Sequence, residues 1–148
     1  MKRREFITNG CTACLSLAVF GQLLPSCTAT KYLSGKLIKD GLLLDEESFS
    51  VNKNGHITYL EFLVIRNDEL KFPICVYRFS ATDYSALWMQ CAHQGAEVQV
   101  MGNYLHCPAH GSEYNNRGNV TNGPAIKDLK TFPVSVNNRQ LFIDLRKK

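Results

Sequence analysis

The sequence predicts an antiparallel all-β domain, a small sandwich or barrel, on three observations. From Lys36 onward the chain is a succession of short apolar runs rich in β-branched and aromatic residues. Asp40-Gly41 and Asn54-Gly55 are good two-residue turn pairs, because each can place a residue at positive φ. No stretch between Lys36 and Lys148 holds a helical apolar period for three turns. At 148 residues there is room for one such domain and a terminal appendage, with little left for a second core.

Taken in order, residues 1–26 stand apart from the rest. A basic start (Lys2, Arg3, Arg4) precedes an apolar stretch from Phe6 to Leu24 and then Pro25, Ser26 and Cys27. That is the three-part plan of an export signal. The paired arginines followed by Glu5, Phe6 and Ile7 resemble a twin-arginine signal, which carries folded proteins across a membrane. Leu24 to Cys27 resembles a bacterial lipoprotein processing site, which implies a lipidated Cys27 at the head of the mature chain. Two or three acyl chains there would anchor the protein, each buried methylene adding roughly 0.8 kcal/mol. A retained N-terminal anchor and simple cleavage are the other readings, and all three put the domain outside the cytoplasm. Residues 27–35 then read as the lipidated cysteine and a polar tether, and residues 36–148 as the domain.

Within the domain, Leu42 to Leu44, Tyr59 to Ile65, Ile74 to Phe79 and Ala86 to Gln90 are the strand candidates. Glu97 to Val100 and Tyr104 to His106 look like two small strands joined by Met101, Gly102 and Asn103. Residues 113–129, rich in Asn and Gly, read as a long ordered loop that covers whatever lies beneath it. FPVSV, Asn137-Asn138 and RQLFIDL form a terminal hairpin.

Composition narrows the function. The chain has 17 basic and 13 acidic residues, but Lys2, Arg3, Arg4 and Glu5 belong to the leader, leaving 14 and 12. That balance makes no basic stripe, so no nucleic-acid partner is expected. Of the six cysteines, Cys11, Cys14 and Cys27 fall in or at the end of the apolar leader. Cys75, in FPICVYRF, reads as a small buried side chain in a strand.

The remaining two, Cys91 and Cys107, carry the chemistry. They lie in CAHQGA and CPAHGS, each loop giving one cysteine and one histidine, His93 and His110. Cys₂His₂ is a common zinc set, but zinc sites usually pair like with like, and here no helix follows. A mixed set suits two irons side by side, two thiolates on one and two imidazoles on the other.

These loops resemble the cluster-binding region of Rieske [2Fe-2S] proteins, and the likeness runs through Tyr114 and the triplet Gly123, Pro124, Ala125. The resemblance implies a Rieske-like β-sandwich with a small cluster-binding subdomain at about residues 89–126. It implies one [2Fe-2S] cluster per chain, with Cys91 and Cys107 on the inner iron and His93 and His110 on the outer one. Neutral imidazoles in place of thiolates remove negative charge, which raises potentials to roughly −150 to +300 mV. The outer imidazole protons couple to reduction, so the potential falls at alkaline pH. Ser112 and Tyr114 match hydroxyl donors to a bridging sulfide and a cysteine sulfur, which favours the upper half of that range. Quinol-oxidising members usually tie the two loops with a disulfide and carry an apolar residue after the first histidine. Here those places hold Ala96, Ala109 and Gln94.

The function implied is an exported, membrane-tethered electron carrier of the bacterial cell envelope, on its periplasmic or outer side. It would pass single electrons in a quinol-linked respiratory chain to a b- or c-type cytochrome, as a component of a quinol–cytochrome c oxidoreductase. The alternatives are a Rieske ferredoxin or small subunit serving an oxygenase or a molybdenum oxidoreductase and, more remotely, a zinc-stabilised surface lipoprotein. No nucleophile, base or oxyanion arrangement stands outside the loops, so catalysis is not assigned to this chain alone.

Overall fold

The computed structural model describes residues 32–146, and the leader with Cys27 and residues 28–31 lies outside them. In chain order the strands are β1 (Tyr32–Leu33), β2 (Lys36–Ile38), β3 (Gly41–Asp45), β4 (Ser50–Lys53), β5 (His56–Tyr59) and β6 (Phe62–Ile65). They continue as β7 (Ile74–Arg78), β8 (Tyr84–Trp88), β9 (Gln99–Val100), β10 (Tyr104–His106) and β11 (Glu113–Asn115). The last four are β12 (Val120–Asn122), β13 (Thr131–Phe132), β14 (Val134–Asn137) and β15 (Gln140–Asp144). A 3₁₀ turn, Glu46–Phe49, drops Phe49 into the core.

A central sheet of order β1-β6-β7-β8-β13 is covered on both faces. One face packs on the sheet β14-β15-β3-β2, the other on the small sheet β12-β11-β10-β9. Alternation along the central strands divides their side chains between two cores. Leu63, Ile65, Ile74, Val76, Tyr84 and Ala86 join Leu42, Leu141 and Ile143 in the first. Val64, Cys75, Tyr77 and Leu87 join Val98, Leu105, Cys91, Cys107 and Tyr114 in the second. This explains the unbroken apolar run of β7, whose residues from Ile74 to Tyr77 are all buried. Each large aliphatic side chain so buried contributes about 1.5–3 kcal/mol. The antiparallel all-β expectation holds, except that β1 runs parallel to β6.

Several boundaries differ from the sequence reading. Tyr32–Leu33 pairs with Val64–Ile65, so the end of the segment read as a tether belongs to the fold. Asn54-Gly55 does form its turn, at φ 53° and 83°. The turn expected at Asp40-Gly41 lies one residue earlier, at Lys39–Asp40. Gly41 is a strand residue, needed because a Cβ there would stand 2.2 Å from the Ile143 carbonyl oxygen. The last hairpin turns at Asn138–Arg139 (φ 48° and 62°), one residue beyond Asn137-Asn138. Tyr59 to Ile65 breaks at Leu60 and Glu61 into two strands of different sheets. Residues 113–129 are not all loop: β11 and β12 form a hairpin closed by Gly118, with Arg117 and Asn119 N–H both donating to Asn115 Oδ1.

Candidate metal centre

The small sheet carries two candidate ligand loops built to one plan. Gln90 bridges to Glu97 around the first, and His106 pairs with Glu113 around the second. In each, the cysteine N–H donates to the carbonyl five residues on: Cys91 to Ala96 (2.7 Å) and Cys107 to Ser112 (2.8 Å). The glycine four residues on donates back to the cysteine carbonyl, Gly95 to Cys91 and Gly111 to Cys107, both at 2.9 Å. Closing so tight a ring needs positive φ at that glycine, and Gly95 and Gly111 stand at 76° and 80°. Glycine recurs in both loops for that backbone reason.

The plan sorts the four candidate ligands. Cys91 and Cys107 point inward and are 3% and 1% exposed, at the top of the second core. His93 and His110 are exposed, their rings edge to face with centroids 5.0 Å apart. Among the described residues, no three His, Cys, Asp or Glu side chains gather closely enough to hold one ion. What stands here is an inner pair of buried thiols and an outer pair of exposed imidazoles.

Beneath the loops lie two buried hydroxyls. The Tyr114 oxygen accepts from Ala92 N–H (3.1 Å) and stands 3.2 Å from Cys91 Sγ, which leaves its proton to donate to the sulfur. Ser112 Oγ, fully buried, accepts from Ala125 N–H (3.0 Å). Gly123 and Pro124, joined by a cis peptide bond, are exposed and directly precede Ala125, whose N–H makes that contact. Asp128 fastens the same loop by accepting from Val120 N–H (2.8 Å) and Asn119 (3.1 Å).

Electrostatics differ between the two thiols. Burial opposes ionisation of Cys91, but the Tyr114 hydroxyl, the His93 N–H, Cys107 and the Gln94 N–H together hold its thiol below the ordinary range. At Cys107, burial prevails over the Ala109 and His110 N–H groups and the neighbouring Cys91 adds to it, so its thiol is pushed up. Tyr114 is pushed up to about 12, first by burial and then by its bond to Cys91. A buried sulfur pair with N–H and O–H groups aimed at it is suited to added negative charge, and the residues fit an iron–sulfur cluster.

The small sheet is fixed to the central one at several points. Tyr77 Oη donates to the Gly102 carbonyl (2.9 Å), Arg66 pairs with Glu97, and Arg117 pairs with Asp83 through both nitrogens while lying over the Phe79 ring (3.6 Å). Of the remaining candidates, Cys75 is a buried strand residue, as the sequence suggests. Ala96 is half-buried, while Ala109 and Gln94 are exposed on the loops. His106 faces Glu113 across the hairpin (3.6 Å), and His56 is exposed on β5, away from the loops. The sequence reading missed Trp88 and Gln90, which bond to each other just before the first loop. Aligning CAHQGA on CPAHGS, Cys91 on Cys107, shows the twin loops and draws attention to what precedes each.

The model of the Rieske [2Fe-2S] domain matches residues 49–133. Cytochrome b6-f complex iron-sulfur subunit 1 of Synechocystis sp. strain PCC 6803 is 42% identical over 55 residues, which cover 36% of this chain and 31% of that protein. The chloroplastic cytochrome b6-f iron-sulfur subunit of Triticum aestivum is 28% identical over 159 aligned positions, covering 93% of this chain and 65% of that protein. The chain therefore spans about one third to two thirds of the length of these relatives. Among solved structures, the plasma membrane Rieske protein PetC3 from Synechocystis PCC 6803 aligns with 57% of this chain and 86% of its own, at 28% identity and a TM-score of 0.49.

Proposed function

The chain belongs to the Rieske [2Fe-2S] family, and on that premise we propose that it is an extracytoplasmic carrier of single electrons. Its cofactor is the [2Fe-2S] cluster of that family, which when bound takes up and gives back one electron. In the proposed site Cys91 and Cys107 hold the inner iron, and His93 and His110 the outer one. The observation that carries this reading is the sorting of the four side chains, thiols buried over Tyr114 and Ser112 and imidazoles in solvent. Burial of the thiols keeps water from the sulfur end. Exposure of the imidazoles puts the outer end within reach of a partner surface and of bulk protons.

The partner is a b- or c-type cytochrome in a quinol-linked respiratory chain. The relatives named as cytochrome b6-f subunits support that choice. The leader supports export as a folded protein and a lipid on Cys27 that holds the domain at the periplasmic or outer side of a bacterial membrane. Ala96, Ala109 and Gln94 favour a second reading, a ferredoxin or small subunit serving an oxygenase or a molybdenum oxidoreductase.

A redox titration across pH decides between them. The respiratory reading predicts a potential in the upper half of roughly −150 to +300 mV that falls at alkaline pH. A potential near −150 mV contradicts it and favours ferredoxin-like use. Mass spectrometry of the exported protein checks the leader: a chain starting at acylated Cys27 is expected, and an intact Met1 would refute processing.

A further inference from the structure

The two ligand loops share a backbone but not a foundation. Under the first, Gln90 Oε1 accepts from Trp88 Nε1 (3.0 Å), and the other end of that amide lies against Gly95: a methyl group there would stand 3.0 Å from Gln90 Nε2. Trp88 is itself held edge-on between the rings of Phe72 and Phe132, at 5.9 and 5.8 Å. Gln90 N–H also donates to the Trp88 carbonyl (2.8 Å), which folds the two residues into one tight unit. Under the second loop, the residue in the place of Gln90 is His106, which turns to Glu113, and nothing stands within 4 Å of a methyl group at Gly111. Ser112 supports the second loop instead, through Ala125, whereas its counterpart Ala96 has no side-chain donor or acceptor. With alanine at positions 96 and 109, no disulfide joins the loops there.

We propose that Gln90, oriented by Trp88, is the positioning residue of the first ligand loop, doing for Cys91 and His93 what the Ser112–Ala125 contact does for Cys107 and His110. The inference rests on the reading of these loops as the cluster site. Gln90 is not itself one of the candidate ligands. It acts through Gly95, whose N–H closes the loop on the Cys91 carbonyl. Without the Trp88 bond the glutamine amide leaves its place, Gly95 gains room, and the first loop loosens while the second does not.

The test uses the full-length holoprotein, with hydrogen exchange followed separately in residues 91–96 and 107–112 and the paramagnetic spectrum of the reduced protein recorded beside it. Gln90→Leu, which keeps size and loses the acceptor, and Trp88→Phe, which keeps the aromatic packing and loses the N–H, should each speed exchange in the first segment about fivefold, the order expected for one ordinary hydrogen bond. Both should leave the second segment unchanged and shift the spectrum. Gln90→Glu retains the acceptor of Trp88 and should leave exchange in the first segment close to wild type, and His106→Leu, at the matching place, should not loosen the first loop. Unchanged exchange in Gln90→Leu, or equal acceleration of both segments, overturns the proposal. A wild-type protein without a Rieske spectrum would refute the cluster site instead, and the exchange contrast would still decide the brace.

Discussion

The two faces of the central sheet are made by the same strands and do different work. On one, Leu63, Ile65, Ile74 and Val76 meet the aliphatic residues of β3 and β15 in an ordinary core. On the other, Val64, Cys75 and Tyr77 support Leu105, Tyr114 and the two loop cysteines. The first face sets stability, and the second sets where two thiols and two hydroxyls stand. A period-2 alternation thus lets one strand serve as scaffold and as floor of the site, provided substitutions on either face act separately.

The separation can be broken most severely at the cysteines. Cys91→Ser or Cys107→Ser should abolish the iron–sulfur absorption while the first core, which contains neither, keeps the circular dichroism of the folded sheet. Ile74→Ala should do the opposite, costing about 2–5 kcal/mol in denaturant unfolding with the spectrum of the folded fraction unchanged. Loss of the spectrum in Ile74→Ala at full folding would show that the faces are not independent.

Smaller changes sharpen the same contrast. Ser112→Ala strands the Ala125 N–H in a buried place and should cost about 1–3 kcal/mol while lowering the potential. Tyr114→Phe removes one donor to Cys91 and the acceptor of Ala92 N–H, for about 1 kcal/mol and a lowered potential with the absorption bands retained. Least of all should come from Asp83, exposed at the edge of the sheet and held below its usual value first by its hydrogen bond to Arg117. A carboxylate depressed in the folded state contributes stability above its unfolded value of about 3.8, lost as pH falls through the lower folded value. Asp83→Asn should therefore unfold slightly more easily at neutral pH, and the difference should vanish in acid, as a pH series of melts would record.

The candidate site was more legible in the sequence than its surroundings. Cys91, His93, Cys107 and His110 are conspicuous because reactive residue types in matched loops survive without any knowledge of packing. The doubly buried β7 was also plain, since an apolar run such as FPICVYRF admits few other readings. Short strands were not. Residues 113–115 and 120–122, polar and Asn-rich, form β11 and β12 through cross-strand pairing that no local propensity signals. Tyr32–Leu33 joins the sheet by pairing with residues thirty-two positions away, which a reading by composition takes for tether. Gly41 likewise looked like a turn residue, whereas its cause is the Ile143 carbonyl of a strand far along the chain.

Whether the twin loops hold two irons, with thiols inside and imidazoles outside, is decided by the paramagnetic spectrum of the dithionite-reduced protein with metal analysis of the same sample. Two irons per chain are expected, with the signal of a [2Fe-2S] centre of mixed sulfur and nitrogen ligands and with nitrogen coupling lost in a His93→Cys, His110→Cys double variant. A colourless, signal-free protein with one zinc per chain would contradict it.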